Sequence, residues 1–372
     1  MYNFKILTKV DAVKWNRDLT KSQCATFLQT AEYLSSEPND NYFPVFIYVF
    51  DENGNVVGQL GLRIIKTAVL YSSPLTHRFS KLISNITARG IWLYGPIIHT
   101  DDKKQKLEIL EAVIRANNAI LDQCNLVFIE GYSPPLDFLV DNDYINEFVK
   151  NGYTIGKYVA FITNLNKPIE EIWKKVQKYT KINVKRASKR GIIIKELETY
   201  DELKEVLSLH QKWAGTKGLV ITDPLREIEK LWNRYKTALE KTFLAYKDKE
   251  LISSISINHF NGIVVPTQVL NSYSDATSLG GPALTWHAIK WSKESGMRIY
   301  DITGGPLLSE NDPDPDNTRP LTHYKRKWGG DQHIHYNFLK VRKKLSYVLY
   351  TKLFHTIRWY HDHVRKLRSN TI

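Results

Sequence analysis

Apolar positions along the chain fall into short continuous runs, turn signals and then a helical period, and this order occurs twice. Phe43-Pro-Val-Phe-Ile-Tyr-Val-Phe50 is an apolar run of strand length, the pattern of a strand buried on both faces. The Asn-Gly pair in Asp51-Glu-Asn-Gly54 favours a tight hairpin turn, so residues 56–65 are expected to form the return strand. Residues 88–98 predict a further strand. Residues 101–121 predict a helix, opened by aspartates and apolar at Leu107, Leu110, Val113 and Ile114. A strand over 126–130, a helix over 134–150 and a strand over 153–165 complete the first half.

The second half repeats the pattern. Residues 243–246, a turn at 247–249 and residues 251–260 predict the matching hairpin, and 264–273 the next strand. A helix over 280–294 and a strand over 298–302 then correspond to the helix–strand pair 101–130. Hairpins followed by a β-α-β unit, used twice, predict an α+β fold. The expected domains are 1–165, 166–335 and a C-terminal strand and basic helix, 336–372. In that last segment Phe338, Val341, Leu345, Val348, Leu349, Leu353, Ile357, Val364 and Leu367 recur near helical period. Such a helix either packs back on the first domain or makes peripheral membrane contact.

Composition supports a folded chain: of 372 residues, 42% are hydrophobic and 12% aromatic, enough to exclude disorder. Two cysteines, Cys24 and Cys124, supply neither a disulfide framework nor a metal knuckle and suit a reducing, cytoplasmic setting. The N-terminal residues show no secretory apolar region, and no apolar run approaches the ~20 residues a membrane span needs.

Charge sharpens the picture. The net charge of +13 is uneven: residues 174–195 hold nine Lys/Arg and no acid, and 336–372 hold nine Lys/Arg with Asp362 alone. Apart from solvated basic faces, such patches imply polyanionic partners: a phosphate-bearing substrate, RNA or an anionic membrane surface. Lys181, Lys185 and Lys189 recur every four residues, and Lys174 and Lys178 make a second pair, so an anion would relieve their mutual repulsion on a helix. Gly280-Gly281 opens a predicted helix, the setting in which backbone N–H groups bind phosphate. Asp301 ends a strand beside Gly304-Gly305, and His323-Tyr-Lys-Arg-Lys-Trp-Gly-Gly330 is a basic-aromatic loop.

Other chemistries are poorly supplied. Asp312-x-Asp314-x-Asp316 has calcium-loop spacing but carries Asn317 and His323 where Gly and Glu are required. His333-x-His335 has no acidic or cysteine partner nearby, so no metal is expected. There is no Gly-x-Ser-x-Gly elbow and no Cys/His pairing.

The run Lys178-Tyr-Thr-Lys-Ile-Asn-Val-Lys-Arg-Ala-Ser-Lys-Arg-Gly191 resembles the Thr-Arg-x-Asn-Ile-x-x-Ala-x-x-x-Gly segment of Fem-type (FemABX) aminoacyltransferases. Gly280–Trp291, Tyr300-Asp301 with Gly304-Gly305, and Tyr324-Lys-Arg-Lys-Trp-Gly329 follow in that family's order. Gln29-Thr30 and Gly95-Pro96 resemble two first-half motifs. The resemblance implies two tandem GNAT-like domains that move an amino acid from aminoacyl-tRNA to an amine of a phosphate-bearing cell-envelope precursor. No bound cofactor is implied, because aminoacyl-tRNA is the co-substrate. Lys325 matches that family's lysine and is expected to bind a phosphate or stabilise the oxyanion; Asp301, from its place at the end of a strand, reads as either a general base or a carboxylate capping its turn. Lys178, Lys181, Lys185, Arg186, Arg319, Tyr324 and Arg326 become substrate-binding candidates, and Gly280 and Gly281 phosphate-binding ones. Two features depart from the pattern: Leu93 and Tyr94 replace the basic residue before Gly-Pro, and His99 precedes Asp101 and Asp102 after it. They leave open an acyl-coenzyme A-dependent N-acyltransferase acting on an amino sugar or polysaccharide intermediate. An RNA-binding protein on a decayed transferase fold is the non-enzyme alternative.

Overall fold

A computed structural model of the chain describes residues 2–36, 42–66, 85–216, 224–271, 279–309, 312, 314 and 318–352. The predicted positions Leu353, Ile357, Val364, Leu367, Asp316 and Asn317 lie outside them. Tertiary contacts divide the described chain into two units. Unit 1 takes in Met1–Val159 and the segment from His333, and unit 2 is Ala160–Gln332.

In unit 1, strand β1 (Asn3–Leu7) leads to helix α1 (Ala12–Leu19), a 3-10 turn (Phe27–Gln29) and helix α2 (Ala31–Leu34). There follow β2 (Tyr42–Phe50), β3 (Val56–Ile65), β4 (Arg89–Trp92), β5 (Ile97–Ile98), α3 (Lys103–Gln123), β6 (Phe128–Tyr132) and α4 (Asn142–Lys150). The sheet order is β1-β2-β3-β4-β6-β13, where β13 is Asp331–Val341, and β5 pairs with β3. β2 and β3 form the expected antiparallel hairpin, Tyr42 opposite Ile65. β4 and β6 pair in parallel, with α3 as the crossover.

β2 is apolar throughout because both its faces are covered. Val45, Ile47 and Val49 join Leu110, Val113 and Ile114 of α3 in one core. Phe46 and Tyr48 meet Trp15 of α1 on the other face, ring centroids 5.0 and 4.9 Å away. Each such burial contributes roughly 1.5–3 kcal/mol. The expected strand 88–98 is split in two by Tyr94, whose φ of 50° breaks the extended backbone. The helix expected from residue 134 begins only at Asn142, where Asp141 Oδ1 caps the N–H groups of Asp143 and Tyr144. Before it the Pro134-Pro135 segment runs as a turn, tied down by Asp137 against buried Lys106 at 2.5 Å.

Unit 2 contains the end of β7 (Thr154–Asn164), α5 (Ile169–Lys175), α6 (Lys178–Lys189), β8 (Ile193–Glu196), α7 (Tyr200–Thr216) and α8 (Pro224–Lys236). It continues with β9 (Glu240–Lys247), β10 (Glu250–Phe260), β11 (Ile263–Asn271), α9 (Gly280–Glu294), β12 (Ile299–Pro306) and α10 (Arg319–Arg326). The sheet order is β7-β12-β11-β10-β9-β8. α7 and α8 bury Leu203, Val206, Leu209, Ile228 and Leu231 against Leu244, Leu251 and Leu270. On the α9 side, Ala187 of α6 packs with Leu279 and Ala283, and Trp173 of α5 meets Trp286, centroids 4.3 Å apart.

One register matters for the site. β11 and β12 pair in parallel only through Ile263 with Ile299 and Val264 with Tyr300. Among the described residues no further ladder pair joins the two strands, and the notch so defined lies at the C-terminal part of β12, where Lys325 of α10 reaches Thr303 and Tyr324 of α10 meets Thr285 of α9. No helix among the described residues is long and apolar enough to cross a membrane.

Candidate active site

The notch is built around a backbone kink. Thr303 of β12 has a φ of 62°, a left-handed conformation that a β-branched residue rarely adopts. Asp301, 1% exposed, holds the kink by accepting a hydrogen bond from the Thr303 N–H at 2.7 Å. Lys325 of α10 reaches into it: its Nζ donates to Thr303 Oγ1 and, at 3.2 Å, to the Gly304 carbonyl. α10 can lie this close because Gly305 has no side chain; a Cβ there would stand 2.6 Å from Thr322 Oγ1. Thr285 Oγ1 of α9 and the Tyr324 hydroxyl of α10 lie 3.4 Å apart on the other side of the notch.

Burial pushes the Lys325 ammonium down to about 8, and neighbouring Asp301 opposes the shift without cancelling it. A half-buried lysine that is charged near neutrality, with its donors gathered at a strained turn, suits stabilisation of a developing negative charge. Strained backbone of this kind clusters at functional sites.

Lys325 lies on a helix, where the sequence led us to expect a loop. Asp314 explains the difference: its carboxylate accepts from the Thr318 and Arg319 N–H groups at 2.8 and 2.9 Å, satisfying the first orphan donors, and Pro320 fits the first turn. The acidic loop therefore starts α10.

The remaining sequence candidates separate. Tyr324 lines the notch through the Thr285 contact. Arg326 is exposed and its guanidinium lies 5.8 Å from the Phe161 ring. Arg319 braces its own loop, donating to the carbonyls of Ser309 at 2.7 Å and of Asp312. On α6, Lys178, Lys185 and Arg186 are exposed. Lys181 instead folds back to the Lys174 carbonyl at 2.9 Å, with its Nζ 5.9 Å from the Trp173 ring. Lys174 and Lys178 do not form an i,i+4 pair, because Val176, with ψ of 136°, ends α5 and α6 begins afresh.

That break is where α10 leaves the site. The Gln177 N–H donates to the Lys327 carbonyl at 3.0 Å. Gly329, at φ 77°, lies against the Lys175 backbone so closely that a Cβ would be 2.5 Å from its carbonyl. The structure thus brings together the basic segment and the Tyr-Lys-x-x-Trp-Gly segment, more than 120 residues apart in sequence.

Gly280 and Gly281 are both buried, and packing accounts for their lack of side chains. A Cβ at Gly280 would meet Ser253 Cβ at 2.6 Å, and one at Gly281 would meet Asn271 Oδ1 at 2.8 Å. Leu279 gives α9 no side-chain cap. In unit 1, Gln29 is a brace, bonded to both backbone groups of Gly61 at 2.8 and 3.2 Å and to the Leu93 carbonyl at 2.6 Å. His335, 4% exposed, stands among Tyr94, Tyr132 and Tyr158, and burial lowers it to about 4. Among the described residues no group of three or more His, Cys, Asp or Glu is placed to hold a metal.

Thr303 and Thr285 were not legible as site residues. The only signal for Thr303 was its place between Asp301 and the Gly pair, since nothing in a threonine announces a positive φ.

No family model matches the chain, and neither does any curated protein sequence. Solved structures do match. FemX aligns with 93% of this chain and 99% of its own, at a TM-score of 0.69 and 14% identity. The fold is that of FemX, a tandem-GNAT arrangement. A tandem GNAT protein from the clavulanic acid biosynthesis pathway aligns with 92% of this chain and 98% of its own, at TM-score 0.54 and 13% identity. L-PGS from Bacillus licheniformis aligns with 84% of this chain and 89% of its own, at TM-score 0.52 and 14% identity. In fold, the resemblance read from the motifs is borne out.

Proposed function

We propose that this protein is an aminoacyltransferase that moves an aminoacyl group from aminoacyl-tRNA to an amine on a phosphate-bearing cell-envelope precursor. The observation that carries this reading is Lys325, half-buried in the β11–β12 notch and held on Thr303 and Gly304. The ester of aminoacyl-tRNA is already activated, so the protein needs no nucleophile of its own. A neutral acceptor amine attacks the ester carbonyl and an N–C bond forms. The C–O bond to the ribose breaks, and the amine proton ends on the departing ribose hydroxyl. Lys325 donates to the oxyanion formed in between. Asp301 keeps Lys325 charged and Thr303 in place. Buried and already engaged by the Thr303 N–H, it serves better as this electrostatic partner than as a general base. The exposed Lys178, Lys185 and Arg186 on α6 face solvent as a phosphate-binding surface for the tRNA backbone.

A second reading, transfer from an acyl-coenzyme A, draws on the start of α9, where the N-cap residue Leu279 supplies no side-chain cap and first-turn N–H groups would suit a pyrophosphate. Label transfer from charged tRNA to envelope precursors, with and without RNase and beside an acetyl-coenzyme A reaction, separates the two. RNase-sensitive transfer supports the first, and label moving only from acetyl-coenzyme A replaces it with the second.

A further inference from the structure

The helix over residues 344–352 meets the described residues of unit 1 through the face that carries Tyr347 and Tyr350. Arg342 pairs with Asp122 at 2.8 Å and donates to Asn125 Oδ1 at 3.1 Å, and Lys343 Nζ donates to the Asn125 carbonyl at 3.2 Å. Tyr347 and Tyr350 rest on Phe128, centroids 5.1 and 5.2 Å away, and Arg89 lies over the Tyr350 ring. These contacts fix the rotation of the helix about its axis.

With both tyrosines turned inward, Leu345, Val348 and Leu349 are turned outward. They stand at i, i+3 and i+4 and are 75%, 46% and 46% exposed. A single exposed leucine needs no explanation, but a stripe of three on consecutive turns does. Exposed Lys344 and Lys352 bracket the stripe. The sequence beyond carries Arg358, Arg365, Lys366 and Arg368 against Asp362 alone.

Charge decides what covers the stripe. A second copy would bring the same positive charge against it, and three side chains fall far short of the roughly 800 Å² per partner of a stable interface. A bilayer with anionic headgroups meets both requirements, taking the apolar side chains at the acyl boundary and the lysines at the phosphates. We propose that this helix face docks the protein on an anionic lipid surface, with Leu345, Val348 and Leu349 inserted and Lys344 and Lys352 on the lipid phosphates. The inference goes beyond the transfer reaction and does not depend on it.

The test is flotation of the full chain with vesicles of phosphatidylcholine alone and of phosphatidylcholine with phosphatidylglycerol. Wild type is expected to float with the anionic vesicles only. Leu345→Asp/Val348→Asp/Leu349→Asp should lower the bound fraction roughly tenfold or more. Lys344→Gln/Lys352→Gln should lower it roughly fivefold per lysine. All five positions are exposed, so unchanged circular dichroism and thermal unfolding verify that the variants fold. Undiminished flotation of the triple aspartate variant, or no flotation of wild type with anionic vesicles, overturns the proposal. A wild-type dimer that becomes a monomer in the triple variant, with no flotation of either, also overturns it and assigns the stripe to a second copy.

Discussion

Replacing Lys325 by methionine should remove catalysis while leaving the protein at least as stable as wild type near pH 7. The ammonium is lowered from 10.5 to about 8, so below pH 8 the folded state carries a charge that burial disfavours. At 1.36 kcal/mol per pH unit this costs the folded state about 3 kcal/mol. The sign follows from proton uptake. Between pH 8 and 10.5 the unfolded chain binds more protons at this residue than the folded chain, so the wild type gains stability as pH rises through that window. Methionine has the length of the lysine stem and no charge, and so escapes the penalty. It also leaves the Thr303 hydroxyl and the Gly304 carbonyl without Nζ, a loss of about 1 kcal/mol each. The net expectation at pH 7 is a gain of about 1 kcal/mol, shifting the melting temperature of a chain of 372 residues by about 1–2 °C. Above pH 10.5 only the lost hydrogen bonds remain and the order of stabilities reverses. Calorimetric unfolding of both proteins at the two pH values measures this, because the other titrating groups cancel in the difference. Transfer by the variant should fall about 10²–10³-fold, as for the loss of one oxyanion donor. A variant more than about 1 kcal/mol less stable than wild type at pH 7 would show instead that Lys325 is a structural clamp.

Three further outcomes follow from the same geometry. Wild-type transfer should decline as pH rises through about 8, where Lys325 loses its proton, and Lys325→Arg should carry activity past that limb; a rise in wild-type rate through the same window would make the neutral amine the active form. Lys185→Glu with Arg186→Glu should weaken tRNA-dependent transfer and flatten its salt dependence by about 0.9 per lost phosphate contact, read from the slope of log kcat/KM against log salt; an unchanged slope would remove α6 from the tRNA surface. Gly329→Ala should destabilise the protein by at least about 2 kcal/mol, because its φ of 77° disfavours a side chain and the Cβ would meet the Lys175 carbonyl at 2.5 Å; a neutral result in equilibrium unfolding would mean that the α10 exit is loosely packed.

The doubled α+β pattern was legible because its strands and helices carry strong local signals. The β2 run is apolar on both faces, and the Asn-Gly turn closes its hairpin where expected. Helix starts that depend on a distant or unusual cap were not legible. Asp314 caps α10 from four residues ahead of Thr318, so the Lys325 segment read as a loop. The break between α5 and α6 rests on Val176 and on the docking of Lys327 and Gly329, contacts formed only in the folded chain. For that reason Lys174 and Lys178 looked like one face of one helix. Lys325 and Asp301 were found through their neighbours in sequence, but Thr303, which joins them, takes its role from a backbone angle that no local pattern encodes.

Transfer of an aminoacyl group by this protein should depend on Lys325. Mass spectrometry of envelope precursors incubated with the protein and a mixed pool of charged tRNA tests it most directly. Precursors should be heavier by one aminoacyl residue with the wild type and unchanged with Lys325→Met. Precursors that gain mass equally with both proteins, or only when an acyl-coenzyme A replaces the tRNA, would contradict it.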